Sequence, residues 1–162
     1  MEPRLISLKL ILDALGVPFD IKALPDRKKL QKAIYLAQIS GVNLGYTYGY
    51  YKLGPYCPSL ARDYYSLAEA IFLGDKEYEE MNLRASILEK LEKIKPLFSI
   101  PPECQRQHLA QEDWLELIAS VHLLHDGLKL SWEDVEAKIK SDKLRLATCF
   151  PIAKKKLQDC LP

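Results

Sequence analysis

The chain is poor in the residue patterns that carry chemistry. Its 162 residues include only three histidines and no G-x-S-x-G, G-x-x-x-x-G-K-[ST] or G-x-G-x-x-G run. That leaves out a nucleophile elbow, a phosphate loop and a dinucleotide-binding turn. The four cysteines, Cys57, Cys104, Cys149 and Cys160, contain no C-x-x-C pair, so they read as free cytosolic thiols rather than as a zinc site or a disulfide framework. No stretch approaches the run of about 20 apolar residues that a membrane helix needs. The opening MEPRLISLKLILDALG carries Lys9 and Asp13 within its apolar part and has neither a basic leader nor a small-residue cleavage site. It is expected to be an amphipathic first helix, not a signal peptide, and the chain is expected to be cytoplasmic.

A strong charge of one sign is also missing, since the net charge is +1. Residues 1–65 hold nine Lys/Arg against five Asp/Glu, and the rest hold 14 against 17. A whole-protein field for nucleic acid is therefore absent, although a basic patch in the first part remains open.

What is there suits one globular domain over residues 1–162, with 48% apolar and 28% charged residues. Helical periodicity predicts a mainly α (α+β) fold of six or seven helices with a small two-stranded β-element and a winged-helix-like N-terminal part. The first helix covers about residues 3–15. The second starts near Pro25-Asp26 and runs to Gly41, with Leu30, Ala33, Ile34 and Ala37 inside and Arg27, Lys28 and Lys32 on wet faces. A third helix opens at Pro58 with a wide apolar face, which predicts a central place in the core. GDKEYEEM, residues 74–81, is expected to supply the second strand. Later helices cover residues 82–98 and 111–126, another opens with the capping box Ser131-Trp132-Glu133-Asp134, and a last one follows Pro151.

Seven of the nine tyrosines fall in YTYGYYKLGPYCPSLARDYY, residues 46–65. Tyr46, Tyr48 and Tyr50 alternate with Thr47, Gly49 and Tyr51, which predicts a strand, and Leu53-Gly54-Pro55-Tyr56 a turn. Tyr64 and Tyr65 fall on apolar stripes and are expected in the core. The others next to the turn suit an interface, because tyrosine buries a large area at little entropic cost.

No catalytic constellation, metal site or cofactor is expected. His122 and His125 stand three apart beside Asp126, but two ligands do not make a metal centre. Cys57 precedes a helix start, where a thiol is acidified, yet no histidine is near in sequence.

KLQKAIYLAQ (residues 29–38) followed by YGYYKLGPYCPSLARDYYSL (residues 48–67) resembles the Panacea-type domain of SocA-like antitoxins, and more closely the bacterial YwgA-like proteins. The resemblance covers about residues 27–72, at Lys29, Leu30, Gln31, Lys32, Tyr51, Gly54, Pro55, Pro58 and Leu60. It implies a compact, mainly helical cytoplasmic protein that binds other proteins; Panacea-type domains neutralise toxins by contact or hand them to a protease. Leu30, Gly54, Pro55, Pro58 and Leu60 have evident structural reasons, which singles out Gln31 and Lys32 as functional. The expected function is non-catalytic protein binding of the antitoxin or adaptor kind, through a surface of Lys28, Gln31, Lys32, Tyr35, Tyr50, Tyr51 and Tyr56. The alternative is a winged-helix-like nucleic-acid binder using the same basic row.

Overall fold

The computed structural model describes residues 1–161. Among them are eight α-helices and one hairpin: α1 (Pro3–Ala14), α2 (Leu24–Ile39), β1 (Gly49–Tyr51), β2 (Gly54–Tyr56), α3 (Pro58–Phe72), α4 (Ala85–Ile94), α5 (Pro102–Arg106), α6 (Gln111–His122), α7 (Trp132–Asp142) and α8 (Phe150–Cys160). The fold is mainly helical with a small antiparallel β-element, as the periodicity predicts. Proline occupies the first turn of α1, α2, α3 and α8, where its missing N–H costs nothing. The Ser131 hydroxyl accepts the Asp134 N–H at 3.1 Å and starts α7 as the capping box predicts. No helix among the described residues is long and apolar enough to cross a membrane.

The hairpin departs from expectation. Both strands lie inside the tyrosine stretch, with Gly49 opposite Tyr56, Tyr50 opposite Pro55 and Tyr51 opposite Gly54. The chain turns at Lys52-Leu53, and Gly54-Pro55-Tyr56, expected as the turn, is the second strand. Gly54 has φ +94°, a conformation that costs glycine little, and Pro55 sits on a strand with no outer neighbour to receive an N–H. GDKEYEEM forms no strand. Its Glu77–Glu80 part is a 3₁₀ turn, and the terminal amine of Met1 lies 3.0 Å from both Asp75 Oδ2 and Glu77 Oε2. Adjacent acids find a cation more readily than a place in a two-stranded ladder.

The centre of the core is α6, where Trp114, Leu115, Leu117, Ile118 and Val121 are fully buried and Trp114 Nε1 donates to the Leu97 carbonyl at 2.7 Å. Past His122 it continues as one π-helical turn, Leu123–Gly127. Alongside runs α2, buried on all sides from Leu30 to Ala37. The expected central position of α3 is not realised. Leu60, Tyr64 and Leu67 are buried, but Tyr65 is 51% and Phe72 87% exposed, because nothing packs over its second stripe.

Candidate functional site

The side chains of Lys28, Gln31, Lys32, Tyr35 and Gln38 recur every three or four residues along α2. That spacing stacks them on one helix face. The face turns inward, and this overturns the expectation of wet lysines: Gln31 and Lys32 are each 1% exposed and Tyr35 is buried. Gln31 acts as a strand would. Its Nε2 donates to the Cys57 carbonyl at 3.0 Å and its Oε1 accepts the Cys57 N–H at 2.9 Å. Gln38 does the same for Tyr46, at 2.7 and 3.1 Å. Tyr35 Oη is hydrogen-bonded to His122 Nδ1 at 2.7 Å, and its ring meets Tyr48 edge-on at 5.0 Å.

Beneath the hairpin, α2 and α6 build a buried charge cluster. Glu116 holds Lys28 Nζ at 2.5 Å through one oxygen and Lys143 Nζ at 2.6 Å through the other. Asp113 takes Lys28 Nζ at 3.1 Å and Arg145 Nη2 at 2.7 Å, and it accepts the Ala110 N–H at 3.0 Å. Burial pushes the Asp113 carboxyl up, but the bonds from Arg145, Ala110 and Lys28 outweigh it and bring the pKa down to about 2. Lys143 Nζ also donates to the Lys52 carbonyl, and Lys32 Nζ to the Pro55 carbonyl, both at 2.7 Å. The hairpin is thus fastened on each side of its turn by a buried ammonium. Burial lowers the Lys32 amine to about 7; Glu116 opposes this, and the charges of Lys28 and Lys143 add to it.

A pocket of about 470 Å³ opens between α2, the hairpin and α3. It is lined by four cations (Arg27, Lys28, Lys32 and Lys52), four tyrosines (Tyr51, Tyr56, Tyr64 and Tyr65), Leu24, Gln31, Leu53, Gly54 and Pro58, and no carboxylate. Tyr51 is 53% exposed and its ring meets Tyr56 at 5.6 Å. Arg27 is steadied by Nη1 bonds to the carbonyls of Ile21, 2.8 Å, and Lys22, 3.1 Å. Gly54 lies close against the cluster: a Cβ there would stand 2.7 Å from Ser120 Oγ and 3.1 Å from Glu116 Cγ.

Five of the seven candidate residues, Lys28, Gln31, Lys32, Tyr51 and Tyr56, come together in this pocket. Two do not. Tyr35 lies in the core against His122, and Tyr50 turns toward α7, where its hydroxyl meets Asp142 at 3.3 Å and its ring lies near the ammonium groups of Lys138 and Lys143. Of the two tyrosines expected in the core, Tyr64 is buried and Tyr65 is on the pocket wall. The idea that Gln31 and Lys32 lack structural duties is corrected as well, since both hold backbone of the segment between Tyr46 and Cys57. Cys57 is buried, with its Sγ against Ser59 Oγ at 3.1 Å.

Asp113, Glu116, Lys143 and Arg145 were not legible as site residues. The signal that betrays Asp113 and Glu116 is the inward polar row of α2, which must find counter-charges. His122 and His125 share Asp126: His122 Nε2 is 3.0 Å from Oδ2, and His125 Nδ1 is 2.5 Å from Oδ1. Among the described residues, no group of three or more His, Cys, Asp and Glu is placed to hold a metal ion. The chain matches no protein-family model, no curated protein and no solved structure.

Proposed function

We propose that this chain is a non-catalytic protein-binding module of the antitoxin or adaptor kind, and that its partner docks over the pocket between α2, the hairpin and α3. The observation that carries this reading is the pocket's lining of four cations and four tyrosines without a carboxylate. Around its mouth Leu24, Tyr51 and Tyr65 are all more than half exposed, beside the exposed Lys52. Aromatic anchors ringed by charges of one sign are what a partner surface of opposite charge recognises. The resemblance of residues 27–72 to Panacea-type domains supplies the antitoxin or adaptor class.

The burial of Lys28 and Lys32 favours this reading over the nucleic-acid alternative. Both lysines hold internal acceptors, so the basic row offers phosphates little beyond Arg27, Lys29 and Lys52. The test is a pull-down from nuclease-treated extract of the source cells at low and high salt. The bait is the intact chain or a Tyr51→Ala/Lys52→Glu variant. A protein retained by the first at both salts and lost by the second supports docking here. Retention by both baits refutes this face, and loss after nuclease moves the assignment to nucleic acid.

A further inference from the structure

The charge cluster is unbalanced, and its imbalance faces the pocket. Three cations with buried side chains, Lys28, Lys32 and Lys143, and the exposed Arg145 surround two carboxylates, Asp113 and Glu116. Lys28, Lys143 and Arg145 each pair with a carboxylate at 3.1 Å or less. Lys32 has none within 4 Å among the described residues; its one acceptor is the Pro55 carbonyl. An ammonium has three N–H groups, so two are left without a protein acceptor. Lys32 is also the most deeply buried cation of the pocket's lining. A buried cation without a counter-ion is costly, and an anion arriving from the pocket removes that cost.

Besides Arg27, Lys28, Lys52 and Gln31, the pocket's walls are formed by Leu24, Leu53, Pro58 and the tyrosine rings. Its ligand therefore joins an anionic group to an apolar body. Leu24, Tyr51 and Tyr65, which line the pocket, are each more than half exposed, so the apolar wall is open to a segment that runs out of the pocket.

Resting on the protein-binding reading above, we infer that the pocket is a carboxylate receptor: it takes an aspartate or glutamate side chain of a partner's segment onto Lys32, and an adjacent aromatic or large aliphatic side chain between Tyr51, Tyr56 and Tyr65. A second consequence follows. Lys32 faces Lys28 from its own helix, Glu116 from α6, Lys143 from the chain after α7, and, around the pocket, Lys52 with the phenols of Tyr51 and Tyr56 from the hairpin and Tyr64 from α3. Glu116 is the one carboxylate among them, and its two oxygens are taken by Lys28 and Lys143. With its amine lowered to about 7, part of Lys32 is neutral at pH 7, and a bound carboxylate draws it to the charged form. Binding then takes up a fraction of a proton.

The probes are Ac-Glu-Trp-NH₂, Ac-Gln-Trp-NH₂ and indole-3-propionate, titrated at pH 7 and low salt into the full chain. Binding is followed by NMR of the tyrosine rings and by calorimetry in buffers of differing ionisation heat. The glutamate dipeptide is expected to bind at least about tenfold tighter than the glutamine one, with net proton uptake, and the preference is expected to vanish in Lys32→Met. Equal affinity of the two dipeptides refutes the carboxylate inference but leaves the protein-binding face standing. If the side-chain NMR signals of Lys32 in the unmodified chain do not shift on binding of the glutamate dipeptide, Lys32 is refuted as the receptor even if the variant fails to fold. Indole-3-propionate binding as tightly as the glutamate dipeptide overturns the peptide source in favour of a small carboxylate. If no probe binds at about 10 mM, the inference falls, and the pull-down decides the docking face separately.

Discussion

Gln31 and Gln38 stand seven residues apart on α2 and grip the two ends of one segment. Gln31 forms a pair of hydrogen bonds with the backbone of Cys57, and Gln38 forms the same pair with Tyr46. The segment between them carries the whole hairpin. An amide side chain presents one donor and one acceptor, as a peptide group does, so α2 stands in for a neighbouring strand at both places.

Gln31→Leu is accordingly expected to destabilise the protein strongly. The buried Cys57 N–H loses its partner, at about 1–3 kcal/mol, while the Cys57 carbonyl keeps the Ala61 N–H at 3.2 Å. Gln31→Glu, which keeps an acceptor for the N–H, should lie between the two. Gln38→Leu should cost less, because Gln38 is only half-buried. Urea unfolding of the three variants checks this order; a neutral Gln31→Leu would show that the clamp contributes nothing.

Glu116 is the shared counter-ion of Lys28 and Lys143. Its replacement by Gln leaves the buried ammonium groups to repel one another, and a loss of about 3–5 kcal/mol is expected from unfolding at pH 7. Asp134→Asn, on the exposed start of α7, serves as the control, with an expected change of about 1 kcal/mol or less.

Gly54→Ala meets two obstacles, a φ of +94° and a Cβ 2.7 Å from Ser120 Oγ. A loss of about 1–3 kcal/mol is expected from the backbone conformation alone. Adding Ser120→Ala should return only part of the total, since it relieves the clash and leaves the φ as it is. Full recovery in the double variant would mean that the turn tolerates a side chain.

Lys32 gives the stability a pH dependence of known sign. Its amine titrates at about 7 in the fold, below the ordinary lysine value of 10.5. Between those values the unfolded chain binds the extra proton, so stability rises with pH, by up to about 1.4 kcal/mol per unit from this one group. Below pH 7 both states are protonated and the cost of the buried charge is constant. The melting temperature of the unmodified chain relative to Lys32→Met should therefore climb from pH 7 to pH 9.5. A difference that stays flat across that range would mean that Lys32 is not depressed.

Helix positions were readable because apolar periodicity and first-turn prolines set them: Pro58 opens α3, Ser131 caps α7, and Leu30, Ala33, Ile34 and Ala37 all face inward. The gathering of Lys28, Gln31, Lys32, Tyr51 and Tyr56 at one place was also readable, because a basic helix and a tyrosine-rich strand are neighbours in the chain. Burial was not readable. A lysine is assigned to solvent by habit, and the acceptor that holds Lys32 inside is a carbonyl 23 residues on. Periodicity carries no information about such partners. The hairpin register was lost for a related reason: Gly54-Pro55 is a strong turn signal, and only its pairing with Tyr50 and Tyr51 makes it a strand.

The hairpin is anchored by groups that every residue possesses. Gln31, Gln38, Lys32 and Lys143 take hold of the main chain at Cys57, Tyr46, Pro55 and Lys52. Apart from Gly54, the tip side chains Tyr51, Lys52 and Leu53 take no part in those bonds. The tip can therefore change in sequence while the loop keeps its main-chain anchors. On the proposed docking face, altering Tyr51, Lys52 or Leu53 would change the surface a partner meets without touching the bonds that hold the hairpin.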